Sequence, residues 1–245
     1  MTKPAVAKKA PKTKERVGGN TKADAVYNAL VSAIVSRELT PGMKLSEETV
    51  AASFQINRVV VRAVLNRLHN DSLLELKPNR GAFVATPSPK QAREIFEARI
   101  LLEREIAVRL AKTITRPQVE ELKAHVRRQR ERHQEHHDPD TLRLAEEFHL
   151  LVARLTDNEI LLSMLTRLVS LSSLVLSLYG RRSLTNAECG LDEHDEIIEA
   201  LRNHDARKSG DVMVRHLEHV TTRMVLEGKS SKERDLADIL KPFAS

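Results

Sequence analysis

Three histidines in the second half of the 245-residue chain lie in segments of helical hydrophobic spacing. His149 is in register with Ala145 and Val152, while His194 and His216 are in register with apolar residues of two further segments. A single histidine in such a place is usually part of a core. Three neutral imidazoles from separate helices form a metal site if they converge on one cavity, with positions left for a small ligand.

A second set of chemically competent residues lies at the start of a short predicted helix. Asn57 is placed to cap this helix, and Arg58 and Arg62 lie four positions apart on one face, with Val59 on the same first turn. Arginine binds guanine bidentately in the major groove of DNA, which such helices enter with their N-terminal residues. Exposed arginines are usually only solvated, so the neighbouring elements decide the interpretation.

The elements before these arginines have the order of a helix-turn-helix. Apolar residues at three- and four-residue spacing predict a first helix over residues 21–39. Ser46 is predicted to cap a short second helix, a turn covers residues 54–57, and the arginine-bearing helix ends near Asn70.

A hairpin follows this third helix. Two short strands, residues 73–76 and 82–85, flank a turn that contains proline and glycine. The tip of the hairpin, formed by Asn79, Arg80 and Gly81, is predicted to contact DNA beside the third helix. Together the elements predict a winged helix-turn-helix domain over residues 21–86.

The remainder of the chain has no strand pattern. Residues 87–89 are predicted to be a linker, followed by an all-helical effector-binding and dimerisation domain over residues 90–228. Helices are expected near residues 89–113, 117–135, 139–156, 158–179, 187–204 and 207–227, with a short tail helix near 232–240. The predicted fold class is therefore mainly α, a winged helix-turn-helix followed by an antiparallel bundle of about six helices.

One segment of the bundle is about as long as a membrane-spanning helix. It runs from Leu161 to Tyr179, and it carries Arg167 near its middle together with five serines. Inserting the arginine alone costs roughly 2.5 to 3.5 kcal/mol. We therefore expect a helix buried within the bundle, and no membrane partner.

The overall charge suits a polyanionic partner without identifying one, since the formal net charge is +6 and the pI is about 9.5. Cys189 is the single cysteine, which excludes an internal disulfide or a multi-cysteine metal site and predicts a cytoplasmic location. Residues 1–20 show no apolar core of a signal peptide and are predicted to be a disordered basic arm. Residues 229–245 are assigned to a C-terminal tail.

Residues 39–84 resemble the DNA-binding domain of the GntR superfamily. The matching residues are Leu39-Thr40-Pro41-Gly42, Leu45-Ser46-Glu47, Arg58, Val61-Arg62, Leu65, Arg67-Leu68 and Arg80-Gly81. The resemblance implies a homodimer on a pseudo-palindromic DNA duplex, with Asn57, Arg58, Arg62 and Gly81 at the DNA.

The chain departs from this family at three places. Relatives usually carry Arg in place of Glu48, Thr-Pro in place of Val59-Val60, and Glu in place of Ala63. Glu48 replaces an expected DNA contact by a negative charge, so the operator sequence is not expected to follow that of relatives.

Residues 89–226 resemble the FCD effector-binding domain of the FadR-like branch of the same superfamily. The matching residues are Ala98-Arg99, Leu102-Glu103, Phe148-His149, Asp157-Asn158, Glu193-His194, Ile197-Ile198, Ala200-Leu201, Met213 and His216-Leu217. The resemblance implies a small-molecule effector bound within the helices.

The resemblance also implies a metal-assisted effector site. In metal-binding relatives an Asp one turn before the first of three histidines completes the ligand set, and an Arg on the first helix holds a carboxylate effector. This chain has Ala145 at the Asp position, so the three histidines named above are expected to hold a divalent ion such as zinc, nickel or manganese more weakly. Arg99, with Glu103, completes the predicted effector site. The alternative that these two residues form only a surface ion pair remains open.

The leading interpretation is a non-enzymatic transcriptional regulator, more specifically a repressor, controlled by a small carboxylate. A metal-dependent enzyme acting on a small organic acid, with Glu146 as base, is the alternative, although the chain has no nucleophile elbow, P-loop or dinucleotide-binding glycine pattern. A constitutive DNA-binding protein without metal is another. RNA binding is disfavoured because only 3% of the residues are aromatic. A purely scaffolding helical protein does not explain the winged module.

Overall fold

The computed structural model describes residues 22–134, 138–180 and 188–224. The elements within these ranges are α1 (Lys22–Val35), β1 (Lys44–Leu45), α2 (Glu47–Ser53), α3 (Arg58–Asn70), β2 (Leu74–Lys77), β3 (Gly81–Val84), α4 (Pro89–Thr113), α5 (Arg116–Gln134), α6 (Asp138–Arg154), α7 (Glu159–Tyr179), α8 (Glu188–Arg202) and α9 (Ala206–Thr222). The predicted fold class, a winged helix-turn-helix followed by a helical bundle, is confirmed. The predicted arm at residues 1–20 and the tail helix near 232–240 lie outside the described residues.

Side-chain caps begin the two helices of the helix-turn-helix. The Ser46 hydroxyl accepts a hydrogen bond from the backbone N–H of Thr49 at 3.4 Å. The side-chain Oδ1 of Asn57 accepts one from the backbone N–H of Val60 at 2.9 Å. These bonds satisfy backbone donors that have no partner inside the first turn of a helix. The buried face of α3 consists of Val61, Val64, Leu65 and Leu68. Both predicted caps are thus present.

The wing is a three-stranded antiparallel sheet in the order β1-β3-β2. Gly81 pairs with Lys77 next to the turn, and Lys44 of β1 pairs with Phe83. The sequence analysis missed β1, because a strand of two residues is too short to show an alternating pattern.

The first helix ends earlier than predicted. It stops at Val35 rather than near residue 39. The N–H of Arg37 donates to the carbonyl oxygen of Ile34 at 3.0 Å, and the N–H of Glu38 donates to that of Ala33 at 2.9 Å. This bond pair is the Schellman motif, which usually requires glycine at the position that Arg37 occupies here with φ of 59°. Because no glycine occupies this position, no stop signal is recognisable before Thr40.

The bundle consists, within the described residues, of α4 to α9. Helix α4 begins at Pro89 after a capping box between Ser88 and Gln91, and it packs against α6, α7, α8 and α9. The other bundle helices begin and end within two residues of the predicted limits, except that α9 ends at Thr222, before the predicted residue 227. Apolar residues from all six helices form one core, in which Ile106, Phe148 and Ile197 are almost fully buried.

Helix α7 packs against both parts of the molecule. Leu165 lies in the core of the bundle, whereas Leu174 lies in the core of the winged helix-turn-helix. Arg167 donates hydrogen bonds to the backbone oxygen of Asp71 and to the hydroxyl of Ser72, each at 3.1 Å. One described helix, α7, is long and apolar enough to cross a bilayer, with mean hydropathy 1.8. Its apolar residues instead join the two cores.

Candidate functional site

The N-terminal turn of α3 presents four of the predicted DNA contacts to solvent. Asn57, Arg58, Val59 and Arg62 are all exposed, because the buried face of the helix lies on its other side. Val59 is 76% exposed. In the major groove such a side chain contacts the methyl group of thymine.

Both arginines on this surface are paired with acids at the start of α2. Arg58 lies 3.3 Å from a carboxylate oxygen of Glu48, and Nε of Arg62 lies 2.8 and 3.0 Å from the two carboxylate oxygens of Glu47. These exposed pairs contribute little to stability, about 0 to 1 kcal/mol each. The ion pairs therefore orient the guanidinium groups, and little free energy is needed to break them.

The tip of the wing is a turn that needs left-handed backbone. Asn79 has φ of 59° and Gly81 has φ of 95°, conformations that asparagine and glycine adopt most readily. The Lys77 ammonium and the Arg80 guanidinium lie 4.8 and 5.7 Å from the centroid of the Phe83 ring. The exposed predicted tip residues are thus placed at one end of the wing, with a second basic residue beside them.

The three predicted histidines come together in the bundle. His149 on α6, His194 on α8 and His216 on α9 each offer one ring nitrogen, and these atoms all lie within 4.8 Å of one another. All three side chains are at most 4% exposed. The convergence that a metal site requires is therefore present.

Each histidine is oriented by a hydrogen bond from its Nδ1 atom. His149 donates to Glu103 at 2.5 Å. His194 donates to the amide oxygen of Gln129 at 3.1 Å, and His216 donates to Glu193 at 2.6 Å. Acceptors of this kind fix the tautomer that leaves Nε2 free to bind metal.

The resulting arrangement places lone pairs against one another. In these tautomers Nε2 of His149 and Nε2 of His216 are both acceptors, and they lie 3.3 Å apart. Nε2 of His194 has no hydrogen-bond partner among the described residues. A cation shared by the three nitrogens relieves both features, so the residues fit a divalent metal ion.

Burial favours the neutral form of His194 and of His216. It lowers the pKa of His194 well below its ordinary value, and the neighbouring His216 and His149 lower it further. Burial also lowers the pKa of His216, although Glu193 opposes this shift. Neutral imidazole is the form that binds metal, so His194 is ready to bind at neutral pH.

Arg99 of α4 is buried beside the histidines. Its guanidinium lies 2.7 Å from Glu103 and 3.1 Å from Glu146, and it donates to the hydroxyl of Ser172 at 2.6 Å. The alternative of a surface ion pair is wrong, because Arg99 and Glu103 are each 1% exposed. Although burial raises the pKa of Glu103, the charges of Arg99 and His149 lower it to about 2.

A cavity of about 100 Å³ opens beside the three histidines. Its lining includes three polar side chains, one cationic and two neutral, that each have a nitrogen atom without a hydrogen bond to a described residue. Nη2 of Arg99, Nε2 of Gln129 and Nε2 of His194 are buried without a hydrogen-bond partner among the described residues. Glu103 does not line this cavity and instead holds His149 and Arg99. Arg99 and Gln129 thus offer N–H donors to a ligand rich in oxygen, whereas Nε2 of His194 offers a lone pair to a cation.

Ala145 lines the cavity one helical turn before His149. Both neighbouring acids are bound by arginines, Glu146 by Arg99 at 3.1 Å and Glu147 by Arg143 at 2.5 Å. Neither acid occupies the place of a fourth protein ligand.

Several residues of the cavity were not predicted. Gln129 and Glu193 orient two histidines, although only the adjacency of Glu193 to His194 gave a signal in the sequence. Arg37 of the winged helix-turn-helix also lines the cavity, and nothing in its local sequence indicated this. His125, which no sequence pattern singled out, is 3% exposed and is hydrogen-bonded to the backbone oxygen of Leu144.

A winged helix-turn-helix joined to an all-helical domain is the architecture of a class of DNA-binding transcriptional regulators. The sequence profile described as bacterial regulatory proteins, gntR family, matches residues 22–84, and that of the FCD domain matches residues 94–219. The second match covers more than half of the chain. The chain belongs to the GntR family of bacterial transcriptional regulators and carries an FCD domain. Its relatives are regulators, in agreement with the prediction that it is not an enzyme.

Characterised relatives and solved structures agree with this assignment. The HTH-type transcriptional repressor RspR of Escherichia coli (strain K12) is 26% identical over 196 residues, which cover 80% of this chain and 86% of the relative. The Uxu operon regulator of Haemophilus influenzae is 25% identical over 197 residues, covering 73% of this chain and 72% of the relative. The structure of McbR/YncC from E. coli matches with a TM-score of 0.74 at 18% identity, over 82% of this chain and 96% of that one. This last likeness shows the fold alone.

Proposed function

We propose that the chain reads a pseudo-palindromic operator as a homodimer, with each α3 in the major groove. Asn57, Arg58, Val59 and Arg62 supply the base contacts, and the wing tip of Asn79, Arg80 and Gly81 contacts the adjacent groove or backbone. The exposure of the whole N-terminal turn of α3 supports this proposal.

The test uses a duplex selected from random sequences by the protein. Arg58→Ala and Arg62→Ala are each expected to weaken binding to this duplex by about 1 to 3 kcal/mol and to relax its sequence preference at one position. Arg109→Ala, which removes an exposed arginine paired within α4, is the matched control and is expected to change neither. Unchanged affinity and unchanged preference in both α3 variants would contradict these contacts.

We further propose that a small carboxylate metabolite in the cavity controls DNA affinity, together with a divalent ion. The observation that carries this proposal is the meeting of three histidine Nε2 atoms with the unpartnered Nη2 of Arg99 in one cavity. Guanidinium binds carboxylate bidentately. His149, His194 and His216 would hold the metal, which supplies further charge to bind an oxygen of the ligand.

The metal proposal is tested by elemental analysis of protein purified without chelator. We expect about one zinc, nickel or manganese ion per chain, and a melting temperature that falls when a chelator removes it. His194→Ala is expected to lose the ion, whereas the control His204→Ala, a histidine outside the set, is expected to keep it. No stoichiometric metal in the wild-type protein and no metal-dependent change in melting temperature would contradict the proposal.

The repressor role, the dimer and the cytoplasmic location complete the proposal. RspR and the gluconate operon regulator of Bacillus subtilis are both named as transcriptional repressors, which favours the same role here. A homodimer gives the two-fold symmetry that a pseudo-palindromic site requires. Sedimentation of the DNA-bound protein is expected to show two chains per duplex, and one chain per duplex would contradict the dimer.

A further inference from the structure

Arg37 occupies an unusual backbone position at the end of α1. It holds the left-handed conformation of the Schellman motif, with φ of 59°. Glycine takes this position in most helices, since a side chain there is strained. The strain means that the surroundings must hold the arginine in place.

The side chain of Arg37 extends from the winged helix-turn-helix to the cavity of the bundle. It lines the cavity together with Val35, the last residue of α1. Within the described parts of the chain, its guanidinium forms neither a hydrogen bond nor an ion pair, and the nearest acid that influences its charge is Glu146. Glu146 is already bound by Arg99. A cation therefore faces the cavity with its hydrogen-bonding groups unused.

The charge of the lining exceeds what one carboxylate needs. Three guanidinium groups, from Arg37, Arg99 and Arg223, line the cavity, against one carboxylate from Glu146. The Arg99 guanidinium suffices to bind a single carboxylate group. Arg37 and Arg223 come from two other elements, the end of α1 and the end of α9, and so are separate from that first group.

We propose that Arg37 is a ligand-binding residue of this cavity and that the ligand is a small acid with two anionic groups. One group is bound by Arg99, beside the histidines, and the other is bound by Arg37. This inference rests on the proposal that a small carboxylate controls DNA affinity. It adds that the ligand carries a second negative charge. Because Arg37 belongs to the DNA-binding domain, the ligand bridges the two domains and favours the arrangement in which they are docked.

The test compares two four-carbon acids that differ in one carboxylate, succinate and butyrate. Calorimetric titration uses the full chain as purified, so its outcome does not depend on the metal analysis or on DNA binding. Wild-type protein is expected to bind succinate at least about tenfold more tightly than butyrate, because the second carboxylate forms a charge-assisted pair.

Two variants remove the guanidinium without disturbing the helix end. Arg37→Gly places the usual residue in the Schellman motif, and Arg37→Asn places one that tolerates the left-handed conformation, so both are expected to melt at or above the wild-type temperature. Both are expected to lower the preference for succinate to less than about threefold. The control Arg207→Gln, which removes a 91% exposed arginine of α9, is expected to keep it.

Three outcomes would overturn the inference. They are a wild-type protein that binds the two acids equally, a wild-type protein that binds neither, and Arg37 variants that fold and keep the preference for succinate. Loss of sequence-specific DNA binding in these proteins is a separate result that concerns the proposed function. The ligand inference and the DNA-binding proposal therefore fail independently.

Discussion

Glu48 lies on the surface that we propose faces DNA, at a position where the family resemblance leads us to expect arginine. Its carboxylate lies 3.3 Å from the Arg58 guanidinium, and its side chain is 80% exposed. A negative charge in that place repels phosphate and competes with DNA for Arg58. We therefore expect this chain to contact the DNA backbone more weakly than relatives that carry arginine at this position.

Removing this charge is expected to strengthen DNA binding. Glu48→Gln is expected to tighten binding to the selected duplex by roughly three- to tenfold in low salt, with a smaller gain in high salt because counterions screen the repulsion. Fluorescence anisotropy at several salt concentrations measures this. Glu105→Gln also breaks an exposed pair with arginine but lies on α4, so it is the matched control. Equal affinities for the two variants at low salt would contradict a role for Glu48.

Ala145 marks the second departure, at the metal site. It lies one turn before His149 and lines the cavity, so Ala145→Asp places a carboxylate where a fourth ligand is available. We expect at least about tenfold tighter zinc binding in a chelator competition. Ala145→Asn, which has the same shape without the charge, is expected to gain much less. Equal zinc affinity for Ala145→Asp and the wild type would contradict the assignment of the site.

The variant also has an expected cost. Without metal, a carboxylate in this enclosed cavity is desolvated without a cation to bind, so the metal-free Ala145→Asp protein is expected to unfold at a lower temperature than the wild type. In the presence of zinc, Ala145→Asp is expected to unfold at a higher temperature than the wild type. Melting temperatures with and without zinc measure both effects.

At the scale of residues, the sequence predicted which groups line the cavity better than it predicted what surrounds them. The three histidines and Arg99 followed from helical register and the family resemblance, since each lies on an inward face. Gln129 and Arg37 did not, because the partner of a side chain from a distant element depends on how helices cross. Helical periodicity indicates which face of a helix is buried, but it does not indicate which residues of other helices contact that face.

At the scale of elements, α7 connects the two halves of the molecule. Leu165 and Leu174 are both 0% exposed, but the first packs in the bundle and the second in the core of the winged helix-turn-helix. Coupling between the halves is therefore expected to depend on Leu174 and not on Leu165.

Replacing each leucine separates these roles. Leu165→Ala and Leu174→Ala are each expected to cost about 2 to 5 kcal/mol of stability. Only Leu174→Ala is expected to split thermal unfolding into two transitions, because it weakens the contact between the halves. Differential scanning calorimetry measures this. A single transition in Leu174→Ala, or two transitions in Leu165→Ala, would contradict the assigned roles.

Element boundaries were predictable wherever a local signal exists. Ser46, Asn57 and Ser88 cap helices as their side chains indicated, and Pro89 opens α4. The end of α1 was not predictable, because the Schellman motif here uses arginine instead of glycine. The double role of α7 was not predictable either, since its uniformly apolar sequence is equally consistent with burial on all sides in one domain.

At the scale of the whole molecule, the cavity lies where it can influence DNA binding. Its lining includes Val35 and Arg37 from the DNA-binding part as well as all three histidines from the bundle. A ligand changes an equilibrium only through a difference in its affinity for the two states, and contacts to both halves provide such a difference. Occupancy of the cavity is thus expected to bias the relative placement of the two recognition helices in a dimer.

The most direct test measures the affinity for the selected DNA duplex with the cavity loaded with zinc and with zinc removed by a chelator. We predict that the two affinities differ by at least about fivefold in the wild-type protein, the lower range of typical coupling between sites. We predict no difference in His194→Ala. Equal affinities in the wild type, or the same difference in the variant, would contradict control of DNA binding by this cavity.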